Sequence, residues 1–117
     1  MILIKRADPT AISHRIVEFN GMIFLGGLTA DDKSQSVQCQ TEQITAKITR
    51  LLESCGSDKS RILSATIYLT DIKTKVEMDR AWVAFLPKDD LPARATVGVA
   101  ELGSPETRIE ISVVAAK

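Results

Sequence analysis

Histidine, cysteine and aromatic side chains are all scarce in this chain: one His, two Cys, one Trp, one Tyr and three Phe in 117 residues. With a single His and no close Cys/His grouping, the usual ligands of a transition metal are missing, and neither a metal nor another cofactor is expected. Cys39 and Cys55 fall in one expected helix, sixteen residues apart, or roughly 24 Å along its axis at 1.5 Å per residue. That separation excludes a disulfide within the chain. Two reduced, partly buried thiols fit a cytoplasmic protein. Excess charge of either sign is also absent, because 15 Lys and Arg balance 15 Asp and Glu. No long-range field recommends nucleic acid or an anionic membrane as a partner, and weak self-repulsion favours association between copies. No apolar run reaches the length that spans a bilayer. The segment Met1-Ile2-Leu3-Ile4-Lys5-Arg6 lacks the layout of a secretory signal, which again leads us to expect a cytoplasmic protein. Repeats, low-complexity tracts and linkers are missing as well. The whole span 1–117 is expected to form one domain, and 44% hydrophobic residues can supply its core.

What is present is alternation. Ala95, Val97 and Val99 share one face of a period-two run, and Arg94, Thr96 and Gly98 the other. In the next run Ile109, Ile111 and Val113 alternate with Arg108, Glu110 and Ser112. Both patterns mark half-buried strands. They predict apolar faces turned to a core, with a guanidinium, a hydroxyl and a carboxylate on the non-core faces. An arginine fixed on a sheet is a good carboxylate receptor, since its fork offers two parallel donors.

Earlier in the chain, Ile2 to Arg6 reads as a short strand ended by Asp8-Pro9. Arg15 to Phe19 and Met22 to Gly26 read as strands joined at Asn20-Gly21, a pair that accepts positive φ in a tight hairpin. Gly26-Gly27 suggests a bulge or a close approach to the backbone. A helix is expected from about Ser36 to Cys55, with Val37, Ile44, Ile48, Leu51, Leu52 and Cys55 on its apolar stripe. Ser34 or Ser36 can cap its start, and Gly56 can close its end. A strand from Ile62 to Leu69, a helix from about Thr74 to Phe85 and the two strands above complete the order β-β-β-α-β-α-β-β. The expected class is α+β: a single mixed sheet with two helices packed on one face. Arg94, Thr96, Glu110, Ser112, Ser64, Thr66 and Tyr68 are expected on the opposite face. Met22, Phe24 and Val114 make that face less polar than a solvated one, so its burial between copies in a closed ring is expected.

The chain resembles the Rid family, the reactive-intermediate deaminases also called YjgF-type proteins. The resemblance rests on Gly21-Met22-Ile23-Phe24-Leu25-Gly26-Gly27, on the run from Gly56 to Leu69, on Met78-Asp79-Arg80-Ala81-Trp82, and above all on Pro92-Ala93-Arg94-Ala95-Thr96-Val97 with Ile109-Glu110-Ile111. It implies a fold like that of the small chorismate mutases, and a homotrimer with a barrel-like interior and sites in the clefts between subunits. It also implies hydrolysis of 2-imino acids, or their enamine tautomers, to 2-oxo acids and ammonia. On this resemblance Arg94 grips the substrate carboxylate, Glu110 helps hold the attacking water, and Thr96 stands where relatives often carry cysteine. Relatives also carry a Gly-Pro-Tyr element near the N-terminus. Here Ala11-Ile12-Ser13-His14-Arg15-Ile16 occupies that region and no tyrosine aligns, so the likeness is to a divergent branch. Gly98 stands where relatives of that branch often have a carboxylate.

Each candidate has a plainer reading. Arg94 and Glu110 can form a cross-strand ion pair. His14, in the region of a substrate-facing residue, can be an exposed loop histidine. Arg15 can be a second anion contact from a neighbouring subunit or a solvated strand-end cation. Trp82 can stack on a ligand or serve as packing. Gly26 and Gly27 can offer backbone amides to a carboxylate or simply form a bulge. Two functions stand open: a deaminase of small imino acids, and a non-catalytic trimer that binds a small carboxylate metabolite in a regulatory or chaperone-like role.

Overall fold

Asn20 and Gly21 both take positive φ, 53° and 76°, so the turn they form matches the right-handed twist of the strands it joins. Those strands are β2 (His14–Phe19) and β3 (Met22–Leu28), paired from Phe19 opposite Met22 to Ile16 opposite Leu25. In the computed structural model, which describes residues 3–117, β1 is Lys5–Pro9 and pairs with β2 at the sheet edge. The expected strand Ile2 to Arg6 is therefore displaced toward the C-terminus, and its first residue lies outside the described residues. Asp8 and Pro9 continue the strand instead of ending it. Asp8 adopts a φ of 53°, and an edge strand tolerates a residue without an N–H.

Helix α1 (Val37–Ser54) begins where Ser36 accepts a hydrogen bond from the Cys39 N–H at 3.2 Å. It ends against Gly56 in the left-handed region. Val37, Ile44, Ile48 and Leu52 are fully buried, as the stripe predicts, while Leu51 and Cys55 sit at its margin. Gln40, Thr41 and Thr45 are buried too. Thr41 escapes a desolvation cost by donating to the Val37 carbonyl at 2.7 Å. Strand β4 (Ile62–Leu69), helix α2 (Lys75–Phe85), strand β5 (Ala93–Gly98) and strand β6 (Ile109–Ala116) follow.

The strands form one six-stranded sheet in the order β1-β2-β3-β6-β4-β5, with β4 and β5 parallel and the other pairs antiparallel. Ile23, Leu25, Ile67, Leu69, Ile109, Ile111 and Val113 form one continuous core with Ile44, Ile48 and Leu52 of α1 and Met78 and Trp82 of α2. The expected α+β layering, with both helices over one face of a mixed sheet, is what the chain builds. The other face carries Phe24 opposite Val114, Met22 opposite Ala116 and Tyr68 opposite Glu110. Met22 and Phe24 are exposed on it.

Candidate functional site

Strand β5 reverses the expected facing. Its parallel register sets Arg94 opposite Ala65, Thr96 opposite Ile67 and Gly98 opposite Leu69. Arg94 and Thr96 therefore lie on the helix-covered side, whereas Ala95 and Val97 lie on the open side, where Val97 is exposed. The reason is the strand's place at the sheet edge. Helix α2 reaches this edge with a polar residue, so the side that would be core further in is here lined for a charged group.

That polar residue is Asp79. Its Oδ1 lies 2.8 Å from the Arg94 Nη2, and its Oδ2 lies 2.7 Å from the Lys75 Nζ one helical turn back. The Arg94 contact is an ion pair, and among the described residues no well-aligned hydrogen bond reaches this buried Oδ1. The other terminal nitrogen of Arg94 donates to the Met78 sulfur at 3.5 Å. The guanidinium carbon sits 5.8 Å from the Trp82 ring centre, within cation–π range. Arg94 is thus held on three sides by one helix while its side chain keeps 21% of its surface exposed. Asp79 is ionised at neutral pH. Burial pushes its carboxyl up, but the hydrogen bond from Lys75 and the contact and charge of Arg94 outweigh that and hold it below its ordinary 3.8.

Arg94 borders two open grooves. One, of about 370 Å³, runs along Asp79, Trp82, Val83, Leu91 and Pro92. The other, of about 270 Å³, runs along Ser64, Thr66, Ala93 and Ala95. Thr96 is half-buried two residues further along the same side of β5.

Glu110 does not join this cluster. It sits on β6, with β4 between it and β5, and it faces the open side while Arg94 faces the helices. Strands about 4.8 Å apart leave the two backbones near 10 Å from each other. The cross-strand ion pair between Arg94 and Glu110 therefore does not form. Glu110 approaches Gly27 instead: a Cβ added at Gly27 would lie 2.8 Å from the Glu110 Cδ. The β3–β6 register slips between Leu25 and Leu28, which is the bulge reading of the glycine pair, and the carboxylate that comes close to the backbone there is the chain's own Glu110. Gly26, Gly27 and Arg15 line a groove of about 270 Å³ with Ser13, Lys33 and Lys47. Arg15 is paired with Asp8 at 3.2 Å, and Lys47 donates to Asp31 at 2.7 Å and to the Thr29 carbonyl at 2.6 Å. His14 is the first residue of β2, not part of a loop, and is exposed opposite Pro9.

One chain therefore holds two separate clusters: Arg94 with Asp79 and Trp82 at the β5 edge, and Glu110 with Gly27 on the open face. Asp79 is the residue of the Arg94 cluster that pattern reading missed. Its signal was available, because Lys75 and Asp79 are four apart on a helix and Asp79 and Trp82 three apart.

Comparison with known proteins agrees with this fold. Residues 5–117 match the family model described as endoribonuclease L-PSP. A RutC family protein from Haemophilus ducreyi is 34% identical over 114 residues, covering 97% of each chain. A solved structure from Neisseria meningitidis, described as a member of the YjgF protein family, superposes with a TM-score of 0.92 at 38% identity, covering 97% of this chain and 94% of that one. The chain belongs to the YjgF/Rid family. A chloroplastic relative from Arabidopsis thaliana, named Reactive Intermediate Deaminase A, is 30% identical over 105 residues; the match spans 85% of this Rid chain but 55% of the plant protein.

Proposed function

We propose that this Rid protein hydrolyses small 2-imino acids to 2-oxo acids and ammonia, with Arg94 holding the substrate carboxylate. The observation that carries the reading is the guanidinium itself, braced by Asp79, Met78 and Trp82 yet open to the groove along Trp82, Val83, Leu91 and Pro92. A braced fork loses little freedom when it binds a carboxylate. The name of the plant relative supports the reaction class. Glu110 faces away from Arg94 within the chain, so the site is completed by the Gly27–Glu110 half of a neighbouring copy, and a homotrimer is the assembly we propose. Its thiols and charge balance fit a cytoplasmic enzyme.

The chemistry asks for placement more than for force. A protonated imine is electrophilic at C2. Water adds its oxygen there and passes a proton to Glu110, giving a carbinolamine. Glu110 returns that proton to the amine nitrogen, the C–N bond breaks with its electrons going to nitrogen, and the remaining hydroxyl proton passes to the departing ammonia as the C=O bond forms. The balance is one iminium acid plus one water giving one oxo acid and one ammonium ion. Orientation of water and substrate supplies the acceleration. Thr96 lies on the Arg94 side of β5 and would contribute a hydrogen bond, not a thiolate.

The test generates imino acid in place with an amino-acid oxidase and traps it with semicarbazide. The wild type is expected to lower the trapped fraction, and Arg94→Ala to lose that effect by about 100-fold or more. A wild type that binds 2-oxo acids but leaves trapping of every imine unchanged would instead make this protein a carboxylate binder without turnover.

A further inference from the structure

Asp79 does more to the Arg94 site than brace it. Lys75, Asp79 and Arg94 form a chain of contacts at 2.7 and 2.8 Å, so the cluster carries a net single positive charge where two cations stand. Asp79 takes one terminal nitrogen of the guanidinium and the Met78 sulfur takes the other. The remaining N–H groups suit one carboxylate. Beyond them the groove is walled by Trp82, Val83, Leu91 and Pro92, and its one acidic lining residue is Asp79.

Resting on the deaminase reading above, we propose that Asp79 is a specificity-determining residue: it makes the Arg94 site select acids with one negative charge and an apolar tail, and turn away those with a second carboxylate. A ligand whose carboxylate sits on Arg94 projects its side chain into this groove. An apolar chain gains contact with Trp82 and Leu91. A second carboxylate would leave water and find no donor among the apolar walls, because Asp79 already engages Lys75 and its own charge offsets the attraction of that cation. The substrates that follow are the 2-imino acids made by oxidising or dehydrating apolar amino acids, not those of aspartate or glutamate type.

Trp82 is the only tryptophan in the sequence and lies against Arg94, so its emission reports ligands at this site without any turnover. The wild type is titrated with 4-methyl-2-oxopentanoate and with 2-oxoglutarate. The first is expected to bind at least about tenfold more tightly. In Asp79→Asn the ratio is expected to fall to within about threefold, chiefly because 2-oxoglutarate binds better, while Asp79→Glu restores discrimination. A merely structural Asp79 would weaken both ligands together and leave their ratio unchanged, which would overturn the inference. Equal affinities in the wild type, or no response to either acid, would do the same. The imine-trapping assay fails separately. A wild type that deaminates but does not discriminate sinks only the charge selection, and one that discriminates but does not deaminate sinks only the enzyme.

Discussion

At the scale of single residues, the fixed charges of this protein are held by neighbours that leave them ionised. Asp79 is the case with most consequence, because its folded pKa is depressed below 3.8 by Lys75 and Arg94 against the upward push of burial. A carboxylate of this kind contributes stability that is present above its unfolded pKa and lost as pH falls through its folded one. Wild type is therefore expected to exceed Asp79→Asn in urea midpoint at pH 7, with the difference closing below about pH 4. Since the Asp79 side chain is 35% exposed, the gap should also shrink in 1 M salt. Asp31, Asp32 and Asp58 are depressed as well, by Lys47, Ser34 and Ser60 in turn, so acid unfolding persists in the variant. An unchanged gap at pH 3 would show that Asp79 acts through packing and not charge. Gly27 offers a second residue-scale test. An alanine there would press its methyl into the Glu110 carboxylate, the end of a side chain free to swing aside. Gly27→Ala is expected to cost less than about 1 kcal/mol of stability but to lower deaminase turnover about tenfold or more by misplacing Glu110.

At the scale of elements, legibility followed burial. Helix α1 was readable because eighteen residues repeat one apolar stripe between a serine cap and a glycine stop. Replacing Ser36 by alanine removes the acceptor for the Cys39 N–H. The expected cost is ~1 kcal/mol, seen as a melting point lower by about 4 °C. The hairpin at Asn20-Gly21 was equally readable, since only turn chemistry was needed. Strand β5 was not. Its existence followed from alternation, but its facing did not, because period two says that faces differ and not which of them meets a core. For inner strands the apolar set goes inward, as Ile67, Leu69, Ile109 and Ile111 do. For an edge strand one partner element decides, and here α2 presents Asp79 and Met78 to Arg94. The same fact explains why Glu110 and Arg94 were expected on one face and stand on two. Strand β1 was misplaced for a related reason: Asp8-Pro9 signals a stop only where both edges of a strand must donate.

At the scale of the whole molecule, the separation of Arg94 from Glu110 and the uncovered sheet face are one problem. Helices cover one face only, and the other leaves Met22, Phe24 and Val97 exposed around Thr66, Tyr68 and Glu110. Exposed apolar surface of this kind favours burial against another chain. The β5 edge adds unpaired backbone groups and the Arg94 side chain along the same border. Contact between this edge and a neighbour's open face would bury the apolar residues and bring a Gly27–Glu110 pair to an Arg94 together. Repeated by rotation, it closes a ring. The proposed trimer predicts a solution mass near three times 12.8 kDa. It also predicts that Phe24→Asp, on the open face and outside the core, separates the subunits while far-UV dichroism stays native. Deaminase activity should fall with the mass, because Arg94 would then lack a Glu110. The Trp82 response to 4-methyl-2-oxopentanoate should weaken less, since Arg94, Asp79 and Trp82 all belong to one chain. Full activity in a monomeric Phe24→Asp protein would refute the shared site, for no rotation of side chains carries Glu110 through the sheet to the face where Arg94 is held.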